Sequence, residues 1–177
     1  MIIILRLNHR IFRDKRITSH VALTARAFLA DKIYYSGEKD SNLENSINKV
    51  SKQFGGNFNV EYCVSPIEFV KHKKSENYKI IHLTVYGLNL NECIKEIRKF
   101  KKILIIVGGE KVPIEYYDLA DLNLSITNQP HSEVSSLAIF LHEFFKGKEL
   151  SYELKNPKIK ILPQRRGKKI IKLDHNS

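Results

Sequence analysis

The chain has 177 residues, enough for one domain of ordinary size with a sizeable core, and nothing in its length requires a second. Its 30 Lys and Arg against 19 Asp and Glu leave a formal charge of +11, which favours a polyanionic partner, nucleic acid first and anionic membrane second, and says nothing about fold. No apolar run approaches the roughly 20 residues of a bilayer span, the start Met-Ile-Ile-Ile-Leu-Arg lacks the basic region and long apolar core of a signal peptide, and Cys63 and Cys93 have no CxxC spacing. The expectation is a cytosolic protein with free thiols and no membrane segment.

Ile2–Leu7 is a continuous aliphatic start that reads as a central strand. The charged stretch from Asn8 to Thr18 reads as a loop, with Thr18 or Ser19 capping a helix whose Val21, Ala25, Phe28 and Leu29 share one face. Lys32–Ser36 gives a second strand, Ser41–Phe54 an amphipathic helix, and Asn57–Val64 a third strand closed by Ser65-Pro66. A short helix over Ile67–Lys73 precedes a mostly apolar strand from Ile80 that ends at Gly87, and Asn89–Phe100 returns as a helix. Ile103–Val107 is too short for a typical helix and stops abruptly in Gly108-Gly109-Glu110-Lys111-Val112-Pro113, the mark of a buried strand feeding a loop. After a short helix around Tyr116, Asp121–Ile126 gives another strand, which runs into the polar loop Thr127–Glu133. The long helix that follows carries Val134, Leu137, Ala138, Leu141 and Phe145 on one stripe, with Glu133 in its first turn, where the helix dipole favours an acid.

This alternation of apolar strands and helices predicts an α/β fold, a mostly parallel sheet with helices on both faces. From Gly147 the composition changes: Glu149–Leu154 and Lys158–Leu162 alternate like strands, and a basic turn through Arg165, Arg166, Lys168 and Lys169 leads into Ile170–Leu173. A hairpin extension (149–177) packed on the main domain (1–148) is expected, its basic residues between Lys155 and Lys172 forming one charged face.

In an open α/β sheet, ligands lie outside the carboxyl ends of the strands, so the loops after Val107 and Ile126 point to one site. Gly108-Gly109 could let backbone amides approach a ligand or supply φ > 0, although a plain strand-to-helix turn explains it as well, and neither GxGxxG nor the Walker pattern is present. Asn128-Gln129-Pro130-His131-Ser132-Glu133 holds more polar side chains than a helix cap requires, which favours function. His131 and Glu133 lack a second His or Cys pair at zinc spacing, and His9, His20 and His82 are isolated, so no metal is expected. Arg10, Arg13, Lys15, Arg16 and Arg26 around one strand end suit an anion, since arginine grips phosphate bidentately.

Four stretches, Arg13–Phe28, His82–Gly87, Val107–Pro113 and Asn128–Val134, together with Ile159–Lys169 near the end, resemble the archaeal tRNA (cytidine(56)-2′-O)-methyltransferase family of the SPOUT superfamily. The resemblance implies a deep trefoil knot, a homodimer, tRNA as substrate and S-adenosylmethionine held by the knot loops. Carried onto this chain, it implies cofactor contacts at Leu83, Gly108, Gly109, Glu110, Lys111, Val112, Ile126, Thr127, Asn128, Gln129, Pro130, His131, Ser132 and Glu133. Ribose methyltransferases of the superfamily usually carry an arginine four residues before the pair matched by Ala27-Phe28, and that position here is Leu23. Arg16 and Arg13 therefore become the candidates to assist the 2′-hydroxyl, with Arg10, Arg26, Arg165, Arg166, Lys168 and Lys169 expected to contact RNA. Competing readings are a SPOUT enzyme acting on another RNA position or base, and a non-catalytic RNA-binding module.

Overall fold

A computed structural model of the chain describes residues 1–109 and 111–173, with side chains throughout except those of residues 14 and 15. In chain order the elements are β1 (Ile2–His9), α1 (Ile11–Ala27), β2 (Lys32–Gly37), α2 (Ser41–Phe54), β3 (Val60–Tyr62), α3 (Pro66–Ser75) and β4 (Lys79–Asn89). There follow α4 (Leu90–Ile97), β5 (Ile103–Val107), α5 (Ile114–Leu119), β6 (Leu122–Ser125), α6 (Glu133–Phe145), β7 (Ile159–Leu162) and β8 (Lys169–Lys172).

Six strands form one parallel sheet in the order β3-β2-β1-β5-β4-β6, and β7 and β8 pair as a separate antiparallel hairpin. Because side chains alternate along a strand, the aliphatic runs feed two cores. Ile2, Ile4, Ile81 and Ile105 pack with Val21, Leu43, Ile94 and Leu137 of α1, α2, α4 and α6. On the other face Ile3, Leu5, Ile80 and Leu104 pack with Val70 of α3 and Tyr116 of α5. The expected α/β architecture with a terminal hairpin is the one observed, both cysteines are free thiols, and no helix among the described residues is long and apolar enough to cross a membrane.

Several local expectations fail. The charged stretch after Asn8 is not a loop, because α1 already begins at Ile11, and Thr18 lies buried inside it. Its first N–H is satisfied by a carboxylate rather than a Ser or Thr: Ile11 N donates to Glu38 Oε2 at 2.8 Å, an acid placed where the helix dipole favours it. Arg26 consequently sits at the far end of the helix from Arg10 and Arg16, about 15 Å from Arg16 at 1.5 Å per residue, so those cations do not surround one strand end. Residues 149–154 are not a strand: a 3-10 turn covers Lys148–Ser151, Lys146 and Gly147 both adopt left-handed φ, and Glu149 is buried with its Oε1 against His142 Nδ1. In the hairpin, Ile161 pairs with Ile170 while Lys160 faces Ile171 and Lys172 faces Ile159, so the antiparallel register distributes the lysines over both faces. Strand β3 is shorter than expected, and β4 does not end at Gly87.

That continuation of β4 shapes the site. Leu83 and Leu88 are both opposite Leu124 of β6, and the residues between them bulge outward. Gly87 is required there by close approach, since a Cβ would collide with Leu124 N and the backbone of Asn123.

Candidate functional site

A cavity of about 230 Å³ opens at the carboxyl ends of β4, β5 and β6. Leu83, Thr84, Val85 and Tyr86 line one side, Gly108, Gly109 and Val112 another, and Leu124, Ile126, His131, Glu133 and Ser136 the third, with His82 and Tyr117 also lining it. Of the residues singled out in the sequence, Leu83, Gly108, Gly109, Val112, Ile126, His131 and Glu133 meet at this cavity. Glu110 lies outside the described residues.

The rest of the polar loop serves its own architecture. Asn128 Nδ2 donates to Val85 O at 2.6 Å, tying the loop to the bulge of β4. Thr127 Oγ1 accepts from Gln129 N at 3.3 Å, His131 Nδ1 bonds Gln129 O at 2.7 Å, and Ser132 Oγ caps α6 by accepting from Val134 N at 3.2 Å. Lys111 instead lines a neighbouring cavity with Asn8, Arg10 and Gly109, so the cationic entrance and the inner cavity meet at Gly109. The glycine pair does not take positive φ. Gly108 is needed for room, as a Cβ would collide with Val112 Cγ2.

Two groups that sequence reasoning missed or set aside lie at this site. Arg6 of β1 is 1% exposed, donates from Nη1 to Leu7 O at 2.7 Å and from Nη2 to Glu133 Oε1 at 3.0 Å. It holds in place the carboxylate that lines the cavity, and its Nη1 would lie 3.3 Å from a Cβ on Gly109. His82 of β4 is also 1% exposed, with its ring edge-on to Tyr117. Burial pushes its pKa down, opposed by a hydrogen bond with Asn123. Asn123 Nδ2 donates to Tyr117 O at 3.0 Å, which turns its Oδ1 toward His82 Nδ1, 3.0 Å away. Nδ1 must then carry the proton, leaving Nε2 as an acceptor on the side of Gly108. The usable signal was that Arg6 and His82 are lone ionisable side chains inside otherwise aliphatic strand runs.

The cation candidates separate. Arg10 borders the outer cavity; Arg13 and Arg16 are exposed on the first turns of α1 and do not line the inner one. Arg165, Arg166 and Lys168 are exposed in the hairpin turn, and Lys169 is exposed at the start of β8. Arg26 is buried and donates from Nη2 to Gly55 O at 2.8 Å.

Residues 54–171 match the family model described as tRNA ribose 2′-O-methyltransferase, aTrm56. A Methanocaldococcus jannaschii protein named tRNA (cytidine(56)-2′-O)-methyltransferase is 50% identical over 178 residues, covering 98% of this chain and 97% of its own length. A Thermoplasma volcanium protein of the same name is 52% identical over 96% of this chain, which spans only 49% of that longer relative. Among solved structures, an A. aeolicus TrmH/SpoU tRNA modifying enzyme superposes with TM-score 0.62 at 16% identity, covering 84% of this chain and 76% of its own. The SpoU methyltransferase AviRb from Streptomyces viridochromogenes, in complex with AdoMet, gives 0.60 at 12% identity over 85% of this chain and 58% of its own. At such identities these two establish the fold.

Proposed function

The chain belongs to the tRNA ribose 2′-O-methyltransferase family aTrm56, and from that premise we propose that it transfers a methyl group from S-adenosylmethionine to the ribose 2′-hydroxyl of cytidine 56 in tRNA. The observation that carries the reading is the inner cavity, whose described lining residues set apolar side chains beside two histidines, two tyrosines and one oriented carboxylate, with no lysine or arginine among them.

Those residues fit the cofactor. Leu83, Val112, Leu124 and Ile126 offer apolar surface to a purine, Gly108 lets the backbone come close, and Glu133 is an anion suited to a ligand bearing a sulfonium and an ammonium. A nucleoside polyphosphate would instead need cations there. Bound in this place, the cofactor supplies an electrophilic methyl group. The residues of the chain bind and orient: Arg6 fixes Glu133, and Asn128 locks the polar loop to β4, holding a near-attack geometry worth far more than any single contact.

The hydroxyl must approach from the outer cavity, where Arg10 and Lys111 border Gly109. Arg16, in the second turn of α1, is the proposed partner of the 2′-hydroxyl, stabilising negative charge as its proton departs, and Arg13, in the first turn, the contact to a neighbouring phosphate. A cytoplasmic place of action follows from the tRNA substrate. The deep trefoil knot belongs to the same proposal, and what supports it is the family membership together with the fold likeness to the SpoU/TrmH enzymes.

A homodimer is part of the proposal too. The paired helices α1 and α6 present Leu23, 37% exposed, and Ile139, 43% exposed, to solvent. Sedimentation at low concentration should give a dimer that Leu23→Glu with Ile139→Glu dissociates; a monomer with full activity would refute it. The activity is tested by methylating a tRNA transcript with labelled cofactor and mapping the label by nuclease digestion. Label at a position other than cytidine 56, or in a base, overturns the assignment.

A further inference from the structure

Two histidines are buried in strands of the sheet, His9 at 0% and His82 at 1% exposure. Their second nitrogens differ. Nε2 of His9 is walled in by protein, 3.5 Å from Asp40 Oδ2 and without a hydrogen bond. Nε2 of His82 also bonds nothing among the described residues, yet it is not walled in: the residue lines the inner cavity, and Nε2 lies 3.9 Å from the point that a Cβ on Gly108 would occupy.

The contact with Asn123 accounts for half of the ring. Nδ1 donates to Asn123 Oδ1 at 3.0 Å, and Asn123 is turned by its own donation to Tyr117 O, so β6 and α5 together fix the tautomer. A tie between β4 and β6 uses one nitrogen and leaves the other unexplained. An acceptor left unpaired at a cavity costs free energy that a ligand N–H or O–H recovers on binding. The other ionisable side chains lining this cavity are Tyr86, Tyr117, His131 and Glu133, and Arg6 lies behind Gly109. Glu133 is the anion and matches the charged end of a ligand; Nε2 is uncharged and matches a neutral donor. Its neighbours on the wall, Leu83 and Val112, are among the apolar residues that suit a purine.

We propose that His82 Nε2 accepts a hydrogen bond from an N–H or O–H of the adenosine half of S-adenosylmethionine, which makes His82 a cofactor-binding residue. The inference rests on the cofactor reading above and adds a named side chain to that site. Protonation would turn the acceptor into a donor, so proton and cofactor exclude one another. Burial holds the folded pKa of His82 below its ordinary value, so cofactor affinity is complete above about pH 6.5 and falls as pH drops through that depressed pKa.

The test is calorimetry of the full chain with S-adenosylmethionine and with 5′-methylthioadenosine, which keeps the adenosine half but has neither sulfonium nor ammonium. Both should bind the parent chain more weakly in mildly acidic than in neutral buffer. The uncharged ligand separates this loss from titration of Glu133. His82→Asn keeps a donor for Asn123 and has nothing at the place of Nε2, so it should weaken both ligands roughly tenfold at neutral pH, the scale of one lost hydrogen bond. His82→Gln can set an amide oxygen near that place and should bind more tightly than His82→Asn, with 5′-methylthioadenosine affinity no longer dependent on pH. Parent affinity in His82→Asn, folded by circular dichroism, would overturn the proposal. So would 5′-methylthioadenosine affinity in the parent that does not change with pH, an arm that needs no variant. An acid loss that persists in His82→Gln would assign the titration to His131 and overturn it as well. Failure of the parent to bind either ligand would overturn the cofactor reading together with this inference, whereas binding that the His82 variants leave untouched overturns this inference alone.

Discussion

Arg6 Nη2 and Glu133 Oε1 lie 3.0 Å apart, 127 residues separated in sequence, and this one bond joins the central strand β1 to the first turn of α6 beneath the candidate cofactor cavity. The Arg6 side chain is 1% exposed and that of Glu133 28%, so the two partners differ in what their loss leaves behind. Arg6→Met leaves a partly hydrated carboxylate and should destabilise the protein by about 2 kcal/mol in urea unfolding, less than breaking a fully buried pair, and weaken S-adenosylmethionine binding by letting Glu133 swing. Glu133→Gln keeps an oxygen that accepts from Arg6 but removes the charge opposite a buried guanidinium, so it should destabilise as well. A double-mutant cycle showing no coupling between them would refute the link.

His82 predicts a pH dependence. Burial holds its folded pKa below the ordinary value, so between that depressed pKa and the unfolded value of about 6.5 the unfolded chain binds more protons. The contribution is complete above about pH 6.5 and is lost as pH falls toward the folded pKa. Parent protein should lose more melting temperature than His82→Gln on going from neutral to mildly acidic buffer. Parallel curves would show that the imidazole is not held neutral.

Gly108→Ala should lower cofactor affinity, because the new methyl collides with Val112 Cγ2 and pushes that side chain into the cavity it lines. Val112→Ala in the same chain should restore part of the affinity. Calorimetry that finds Gly108→Ala unaffected would remove Val112 from the wall.

Arg16 and the hairpin turn should fail differently. Arg16→Ala is expected to lower turnover by a large factor at unchanged cofactor affinity, the pattern of an interaction made in the transition state. Replacing Arg166, Lys168 and Lys169 by alanine should weaken tRNA binding and flatten its salt dependence by about one unit for each phosphate no longer neutralised, with turnover at saturating tRNA nearly intact. The reverse pattern would mean that the reacting and docking surfaces have been exchanged.

Where local sequence carried the cause, the sequence was readable. The aliphatic runs of β1 and β5 marked buried parallel strands without their partners being known, and the loops after β5 and β6 located the cavity. Failures came from distant partners. The start of α1 was invisible because its cap is Glu38, 27 residues on. Arg6 was overlooked for the same reason, since inside β1 it reads as an oddity until Glu133 is placed beside it.

The bulge of β4 has a dynamic consequence. Leu83 and Leu88 both pair with Leu124, so the chain carrying Thr84, Val85 and Tyr86 leaves β6 and returns to the same residue. A wall anchored at both ends cannot swing like a flap. Its movement is tied to the pairing of β6 with β4, while on the facing rim Lys111 O is held by Asn8 Nδ2 at 3.3 Å, so both sides of the cavity are anchored to strands of the sheet.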